Sequence, residues 1–365
     1  MNKNNNSKIF EFAFCANDRY LCGLLMAILT VLRSSRDEVF IRINVIDGGL
    51  SDESLQILKE SVKVFSKCIL CVHSCDVELF RKIAEGGKRH ISMFFRLDLP
   101  RILECDKVIY IDSDVLVLRD ITHFFDCVGH PKEPIAAVQD WETPSLSADS
   151  YEMARLCGLE NVTSYFNSGV LVLDLDRLRQ DCFTEHAVEV LAKVGQMSKF
   201  HDQTAFNIIY SEQWADLGAT WNTPSWHFDK SFDNRLPGIV HYTNSAPWLE
   251  RRYTPSQALF ERIAGDLGVE LPRPETSMTS SCTGAFLVWL LAPLRIGYNL
   301  LRAAMSNALG KREKADASQS IASHWLEYFV GGPIRVLRYR KRIREINSPL
   351  FDPFVRKVNT SNLSI

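Results

Sequence analysis

The apolar run Ile9–Ala16 is nearly continuous, which predicts a strand covered on both faces rather than one with a wet side. Tyr20–Arg33 follows with apolar residues at helical spacing. Val39–Asp47 predicts a second strand that stops at Gly48-Gly49, where Ser51 and Asp52 cap a helix reaching about Ser66. Cys68–His73 and Lys107–Ile111 predict the third and fourth strands. Strands alternating with helices define an α/β fold: a mostly parallel central sheet with helices on both faces. Ligands of such sheets bind beyond the carboxyl ends of the strands. The positions to inspect are therefore Asn17-Asp18, Asp47, Asp76 and Asp112-Ser113-Asp114.

The pattern loosens further on. Ile135–Val138 and Ser168–Leu173 predict strands, Arg177–Val194 and Asp202–Tyr210 helices, and the Trp-rich segment Trp214–Trp248 reads as loop. Pro272 to Ser281 is a break rich in Pro, Ser and Thr. It divides the chain into a main unit (1–271), a linker (272–284) and an extension (285–365) that is first apolar and then basic.

Of 365 residues, 46% are hydrophobic and 24% charged, which excludes a mostly disordered chain. The net charge of −2 gives no general basicity for nucleic acid. It hides an asymmetry of −10 for residues 1–284 and +8 for residues 285–365. In the extension Arg335, Arg338, Arg340, Lys341, Arg342 and Arg344 interleave with Trp325, Tyr328, Phe329 and Tyr339. Residues 325–344 suit either an anionic membrane surface or a solvated helix packed on the acidic body. The start of the sequence is polar and Asn-rich, and the ten cysteines are sparse and sit within apolar runs. A reduced, cytoplasmic setting is expected, peripheral to the inner membrane face on the first reading. The longest uncharged apolar run, Ala285–Leu294, is about half of the ~20 residues a spanning helix needs.

No Walker loop, G-x-G-x-x-G or G-x-S-x-G motif occurs. Cys68-x-x-Cys71, with His73 and Cys75 close by, has zinc-like spacing. On a strand, however, residues three apart face opposite ways, so buried free cysteines are expected. Asp112-Ser113-Asp114 is the sharper feature. Two carboxylates at i, i+2 after a core strand would share one face of an extended backbone and suit one hard cation, Mg²⁺ or Mn²⁺, with positions left open for phosphates. A second copy, Asp174-Leu175-Asp176, immediately precedes a helix and is read as capping. Asn167 before Gly169, Asp202-Gln203 opening a helix, and His241 after an apolar run are further candidates, each with an ordinary structural reading as well.

Taken in order, six stretches resemble glycosyltransferase family 8, the bacterial lipopolysaccharide glucosyl- and galactosyltransferase type. They are Ala16-Asn-Asp-Arg-Tyr20, Arg89–Leu97, Asp106–Asp114, Phe166-Asn-Ser-Gly169, His201-Asp-Gln203 and His241–Trp248. The resemblance spans roughly Phe10 to Trp248. It implies an A-type glycosyltransferase fold and retaining transfer of a hexose, glucose or galactose, from a UDP-sugar to a saccharide or glycolipid acceptor such as lipopolysaccharide core or capsule. It implies that Asp112, Asp114 and His241 hold Mn²⁺, with Mg²⁺ as the alternative. Ala16, Asn17, Tyr20, Arg96 and Ser113, with the two aspartates, would hold the donor. Asp140, Asn167, Asp202 and Gln203 would surround the transferred sugar, Gln203 stabilising the reacting carbon during front-face attack. Asn17 stands where the family usually has Asp, and Ala246 where a lysine commonly precedes Pro-Trp; Arg251 or Arg252 is a candidate substitute. A sugar nucleotidyltransferase would need a Gly-rich loop, and Ala13–Tyr20 has no glycine. A catalytically silent glycan-binding scaffold is the reading from a different class.

Overall fold

Alternate residues of the central strands serve two different cores, and this explains their unbroken hydrophobicity. The computed structural model describes residues 9–36, 38–84, 91–129, 132–231, 236–243, 246–249, 254–272, 282–308 and 318–319. Its strands are β1 (Ile9–Ala16), β2 (Phe40–Asp47), β3 (Cys68–His73), β4 (Lys107–Ile111), β5 (Val115–Val117), β6 (Ile135–Gln139), β7 (Phe166–Asp174), β8 (Trp214–Asp216), β9 (Thr223–Pro224) and β10 (Ile239–His241). Phe12, Phe14, Ile109, Ile111, Val170 and Val172 point to one core, shared with the helix Leu21–Ser34. Ala13, Val108, Tyr110, Leu171 and Leu173 point to the other, shared with the helices Phe183–Val194 and Asp202–Ile209. Period-two side chains with both faces buried are what a covered sheet requires.

Seven strands form one sheet in the order β3-β2-β1-β4-β7-β6-β8, and β5, β10 and β9 form a second. In the large sheet only β7 runs against its neighbours, β4 and β6. The other pairs, β1–β2, β2–β3, β1–β4 and β6–β8, are parallel. The helix Leu21–Ser34 lies between the two sheets. Leu24 and Ile28 face the large sheet, while Cys22, Met26 and Leu29 face Leu116, Val240 and the helix Pro255–Leu267. An all-round apolar helix is the expected result. Thr30, its one fully buried polar side chain, donates to the Met26 carbonyl and accepts from the N–H of Val117 on β5 at 3.1 Å.

Two expectations need correction. The helix foreseen over Arg177–Val194 is two helices, Leu175–Gln180 and Phe183–Val194, broken where Cys182 takes φ 50°. The segment Trp214–Trp248 is not merely loop: it supplies β8, β9, β10 and the helix Ser225–Ser231. These strands are two or three residues long, too short for a period to register, and they exist because partners distant in sequence pair with them. Cys68, Cys71 and Cys75 are free thiols but half-buried rather than buried, because β3 is the edge strand of the large sheet. Cys68 packs on the first core, Cys75 on the second, and His73 Nε2 meets Asn44 Oδ1 at 2.9 Å. Burial, with Cys71 adding to it, pushes the Cys68 thiol up to about 12.

The apolar part of the extension is helical, Cys282–Ala308, with Pro293 inside it. Among the described residues no helix is long and apolar enough to cross a membrane. The basic segment 325–344, most of the break at 272–284, and Arg251 and Arg252 lie outside the described residues.

Asp174 caps its helix as expected, accepting from the Arg177 N–H at 3.0 Å, and Asp176 pairs with Arg179. Asp174→Ala should cost about 1 kcal/mol of stability in urea denaturation and leave turnover intact. A different aspartate carries a pH dependence. Asp98 is buried, its Oδ1 has no hydrogen-bond partner, and Arg101 Nε stands 3.6 Å away. Burial, only partly offset by Arg101, raises its pKa to about 6. The folded state thus holds this proton more tightly than the unfolded chain does. The resulting stability is fully present below the ordinary carboxyl range and is lost as pH rises through about 6. Asp98→Asn should match the parent near pH 4 and exceed it by about 1–2 kcal/mol above pH 6.5 in the same assay.

Candidate active site

The large sheet hands the chain to the small one at Asp112-Ser113-Asp114. Asp112 follows the last residue of β4, and its N–H bonds to the Gly169 carbonyl on the antiparallel β7 at 2.8 Å. Asp114 precedes β5, which pairs antiparallel with β10 so that Val115 lies opposite His241. Residues 113 and 114 form a turn, not the extended pleat that the i, i+2 spacing suggested. The turn and the second sheet, rather than alternation along one strand, bring the carboxylates to the imidazole. His241 Nε2 lies 3.2 Å from Asp114 Oδ1 and 3.8 Å from Asp112 Oδ2. One ligand atom from each of the three residues falls within 4.8 Å of the others, the only such metal-competent group among the described residues.

Gly169 makes this convergence possible. A Cβ there would strike the His241 ring and lie 2.8 Å from Asp112 Oδ2. Asn222 fixes the ring from its other side: its Oδ1 meets His241 Nδ1 at 2.8 Å. An amide oxygen only accepts, so Nδ1 carries a proton and Nε2 is the nitrogen turned toward the carboxylates. Burial disfavours a charge on His241, but Asp114 and Asp112 outweigh it and hold its pKa above the ordinary value. Two carboxylates and an oriented imidazole therefore suit a divalent cation well.

A hydrogen-bonded chain continues from Asn222. Its Nδ2 donates to Asn167 Oδ1 at 2.8 Å, and Asn167 Nδ2 donates to Asp140 Oδ2 at 3.1 Å. Gln203 Nε2 donates to the same oxygen at 3.2 Å, while Gln203 Oε1 accepts from the Ser168 N–H at 3.0 Å. Asp140 Oδ1 accepts from the N–H groups of Glu142 and Thr143. Arg96 closes the other side, pairing with Asp112 at 2.8 Å and Asp202 at 3.0 Å, over the Tyr110 ring. Burial opposes its charge, but Asp112, Tyr110 and Asp202 raise its pKa further. Asp202 is lifted to about 6 by burial, with Arg96 pulling the other way.

Two adjoining cavities flank the carboxylates. One, 320 Å³, is lined by Asp140, Asn167, Gln203, Asn222 and the indoles of Trp141 and Trp226, among others. The second, 440 Å³, is lined by Ala16, Asn17, Tyr20, Ser113 and His201 among others. Asn17 Oδ1 is buried without a partner, an acceptor that a ligand N–H would satisfy. Tyr20 is braced edge-on by Trp248, whose indole N–H donates to the Arg19 carbonyl. Gly23 lets Trp248 and the Ser113 carbonyl approach the helix backbone.

The structure thus brings Asp112, Asp114, His241, Arg96, Asp140, Asn167, Asp202 and Gln203 to one cleft, and Ala16, Asn17, Tyr20 and Ser113 to its neighbour. Asn222 was missed by sequence reasoning. Its only signal is a lone amide between Trp221 and the Thr223-Pro224 of a two-residue strand, yet it is 2% exposed and joins the imidazole to the amide chain.

The sequence pattern of Glycosyl transferase family 8 matches residues 11–252, and the chain belongs to that family. General stress protein A of Bacillus subtilis is 27% identical over 263 residues, covering 66% of this chain and 88% of that protein. The lipopolysaccharide 1,2-glucosyltransferase of Escherichia coli K12 is 24% identical over 268 residues, covering 69% and 76%. Among solved structures, galactosyltransferase LgtC in complex with donor and acceptor sugar analogs superposes with a TM-score of 0.58 at 21% identity, over 70% of this chain and 95% of that one. The bifunctional glycosyltransferase WbbM gives 0.55 at 19% identity, and the matched region spans about half of it, 48%. The fold is accordingly the A-type glycosyltransferase fold, as the sequence resemblance implied.

Asn222→Ala removes the proton acceptor that sets the His241 tautomer. It should weaken Mn²⁺ binding by about 10- to 100-fold in a calorimetric titration, with the thermal transition little changed.

Proposed function

We propose that the protein transfers a hexose from a UDP-hexose to a saccharide or glycolipid acceptor with retention of configuration. The observation that carries this reading is the Asp112–Asp114–His241 group at the junction of the two cavities. Mn²⁺ or Mg²⁺ held by these three residues would supply Lewis-acid stabilisation of the departing diphosphate. Asn17 offers its unpartnered carbonyl to the imide N–H of uracil, and Tyr20, braced by Trp248, offers a ring for the base to stack on. Its neutral amide replaces the charged acceptor usual at this position.

Asp140, Asn167 and Gln203 form the wall against which the hexose lies. Both Asp140 oxygens are already accepting, from two backbone N–H groups and two side-chain amides. A carboxylate so engaged is a poor nucleophile. Both ends of the Gln203 amide are bonded too, and an amide oxygen is weaker still. Attack by the acceptor hydroxyl on the face the diphosphate leaves, with Gln203 and Asp140 stabilising the electron-poor carbon, fits these constraints. Asp202 acts on Arg96 and so keeps the guanidinium oriented at the metal-binding carboxylates.

The acceptor is proposed to be a cell-surface glycan such as lipopolysaccharide core or capsule, in line with the function named for the Escherichia coli relative. Action in the cytoplasm, at the inner membrane face through residues 325–344, rests on the charge and aromatic pattern of that segment. Screening UDP-glucose, UDP-galactose and other UDP-sugars for slow hydrolysis with Mn²⁺ tests the donor without needing the acceptor. One UDP-hexose should be cleaved. Asp112→Asn and Asp114→Asn should each lower that rate at least about 100-fold while retaining the thermal transition. Hydrolysis of none, together with no Mn²⁺-dependent UDP binding, would favour the silent scaffold.

A further inference from the structure

Five residues line both cavities: Met93, Arg96, Asp112, Asp114 and Lys199. On the donor reading above, a molecule with its nucleoside in one cavity and its hexose in the other lays its diphosphate across this seam. Among the described residues the seam has two long-chain cations, and one is already neutralised. Arg96 faces Asp112 and Asp202 and also donates to the Ser168 carbonyl and hydroxyl, so its donors are taken up within the protein. Lys199 is different. Its Nζ touches the Ala148 carbonyl at 3.3 Å, and among the described residues no carboxylate pairs with it. An ammonium has three donors, so two are left for a ligand.

The loop bearing Lys199 is held far more firmly than a surface turn requires. The buried Asp149 carboxylate accepts from the Lys199 N–H at 2.9 Å, from Ser198 Oγ at 3.0 Å and from Thr204 Oγ1 at 2.7 Å. Ser198 Oγ in turn accepts from the N–H groups of Phe200 and His201 at 3.0 and 2.9 Å. His201 then adopts φ 40°, a left-handed backbone unfavourable for a bulky residue, and its buried Nε2 has no partner. Strain maintained by so many bonds, beside the cleft, is the signature of a positioned functional segment.

We infer that Lys199 is the diphosphate-binding cation of the donor site. By sequence, Thr243–Trp248 contains no basic residue. An ammonium here adds charge where the cleft has an excess of carboxylates, and it contacts only the part of the donor that carries formal negative charge. The site then discriminates nucleoside diphosphates from nucleosides by a group outside the metal ligands.

The test is calorimetric titration of uridine and of UDP, with Mn²⁺ present, into the parent protein, Lys199→Ala and Lys199→Arg. UDP should bind Lys199→Ala about 10- to 100-fold more weakly than the parent, uridine should bind both within about twofold, and Lys199→Arg should recover most of the loss. UDP binding to Lys199→Ala at parental affinity overturns the assignment and leaves the donor reading standing. Equal weakening of uridine and UDP also overturns it, because the loop is then structural. If the parent itself binds no UDP with Mn²⁺, the donor reading fails and this inference with it.

Discussion

The pairing of β5 with β10 is the constraint on which the cleft depends. Asp112 belongs to the end of the large sheet, and His241 lies well over a hundred residues further along the chain. Only an antiparallel register that sets Val115 opposite His241 brings the imidazole to Asp114, and only the missing side chain at Gly169 lets the ring sit beside Asp112. The small sheet is in turn seated by the helix Leu21–Ser34, which is apolar all round because it fills the space between the sheets. Thr30 adds a directional element to that packing. Its hydroxyl receives the Val117 N–H, a backbone donor that would otherwise be buried without a partner. Packing, register and one glycine thus determine a geometry that chemistry later uses.

Such a cleft is electrostatically expensive. Asp112, Asp114, Asp140 and Asp202 lie close together with limited access to water, and isolated burial of that charge would cost several kcal/mol per group. The fold meets the cost unevenly. Asp140 has four hydrogen-bond donors, and Asp202 shares Arg96 with Asp112. Among the described residues Asp114 is paired with His241 alone, and Asp112 has Tyr110, Arg96 and the same histidine. The least satisfied oxygens are those aimed at the point where a cation fits. The raised pKa of His241 is the same imbalance seen from the imidazole, where Asp114 and Asp112 outweigh burial and favour its charged form.

Much of this was legible in the sequence where the cause is local. β1 and β3 carry the boundaries that their apolar runs suggested, Ser51 caps its helix through the Ser54 N–H, and Asp174 caps another. The acidic pair at the end of β4 was visible because a core strand ending in polar residues is a local pattern. What depended on distant partners was not visible. β9 and β10 have two and three residues and no readable period, so Asn222 and the register of His241 could not be derived from Trp214–Trp248. The break at Cys182 interrupts a stretch whose apolar spacing continues across it. Lys199 escaped notice because a lone lysine in a short polar segment has no pattern, and its significance comes from Asp149, 50 residues earlier.

The two Asp-x-Asp segments show why spacing alone carries so little chemistry. In Asp174-Leu175-Asp176 the chain turns directly into a helix, so one carboxylate accepts from the free N–H at the first turn and the other pairs with Arg179 one turn on. Leu175 between them is buried in the second core, which turns the pair away from any common ligand. In Asp112-Ser113-Asp114 the chain turns between two sheets, and the central residue is small and polar. Its hydroxyl donates to the Cys15 carbonyl on β1, and its own carbonyl packs against Gly23. That anchors the turn to β1 and the central helix at once and leaves both carboxylates facing His241. A bulky apolar residue at 113 would have no core to enter, and a hydroxyl at 175 would lose one. The middle residue, through the surroundings it can accept, separates a turn that gathers carboxylates around an imidazole from a helix cap.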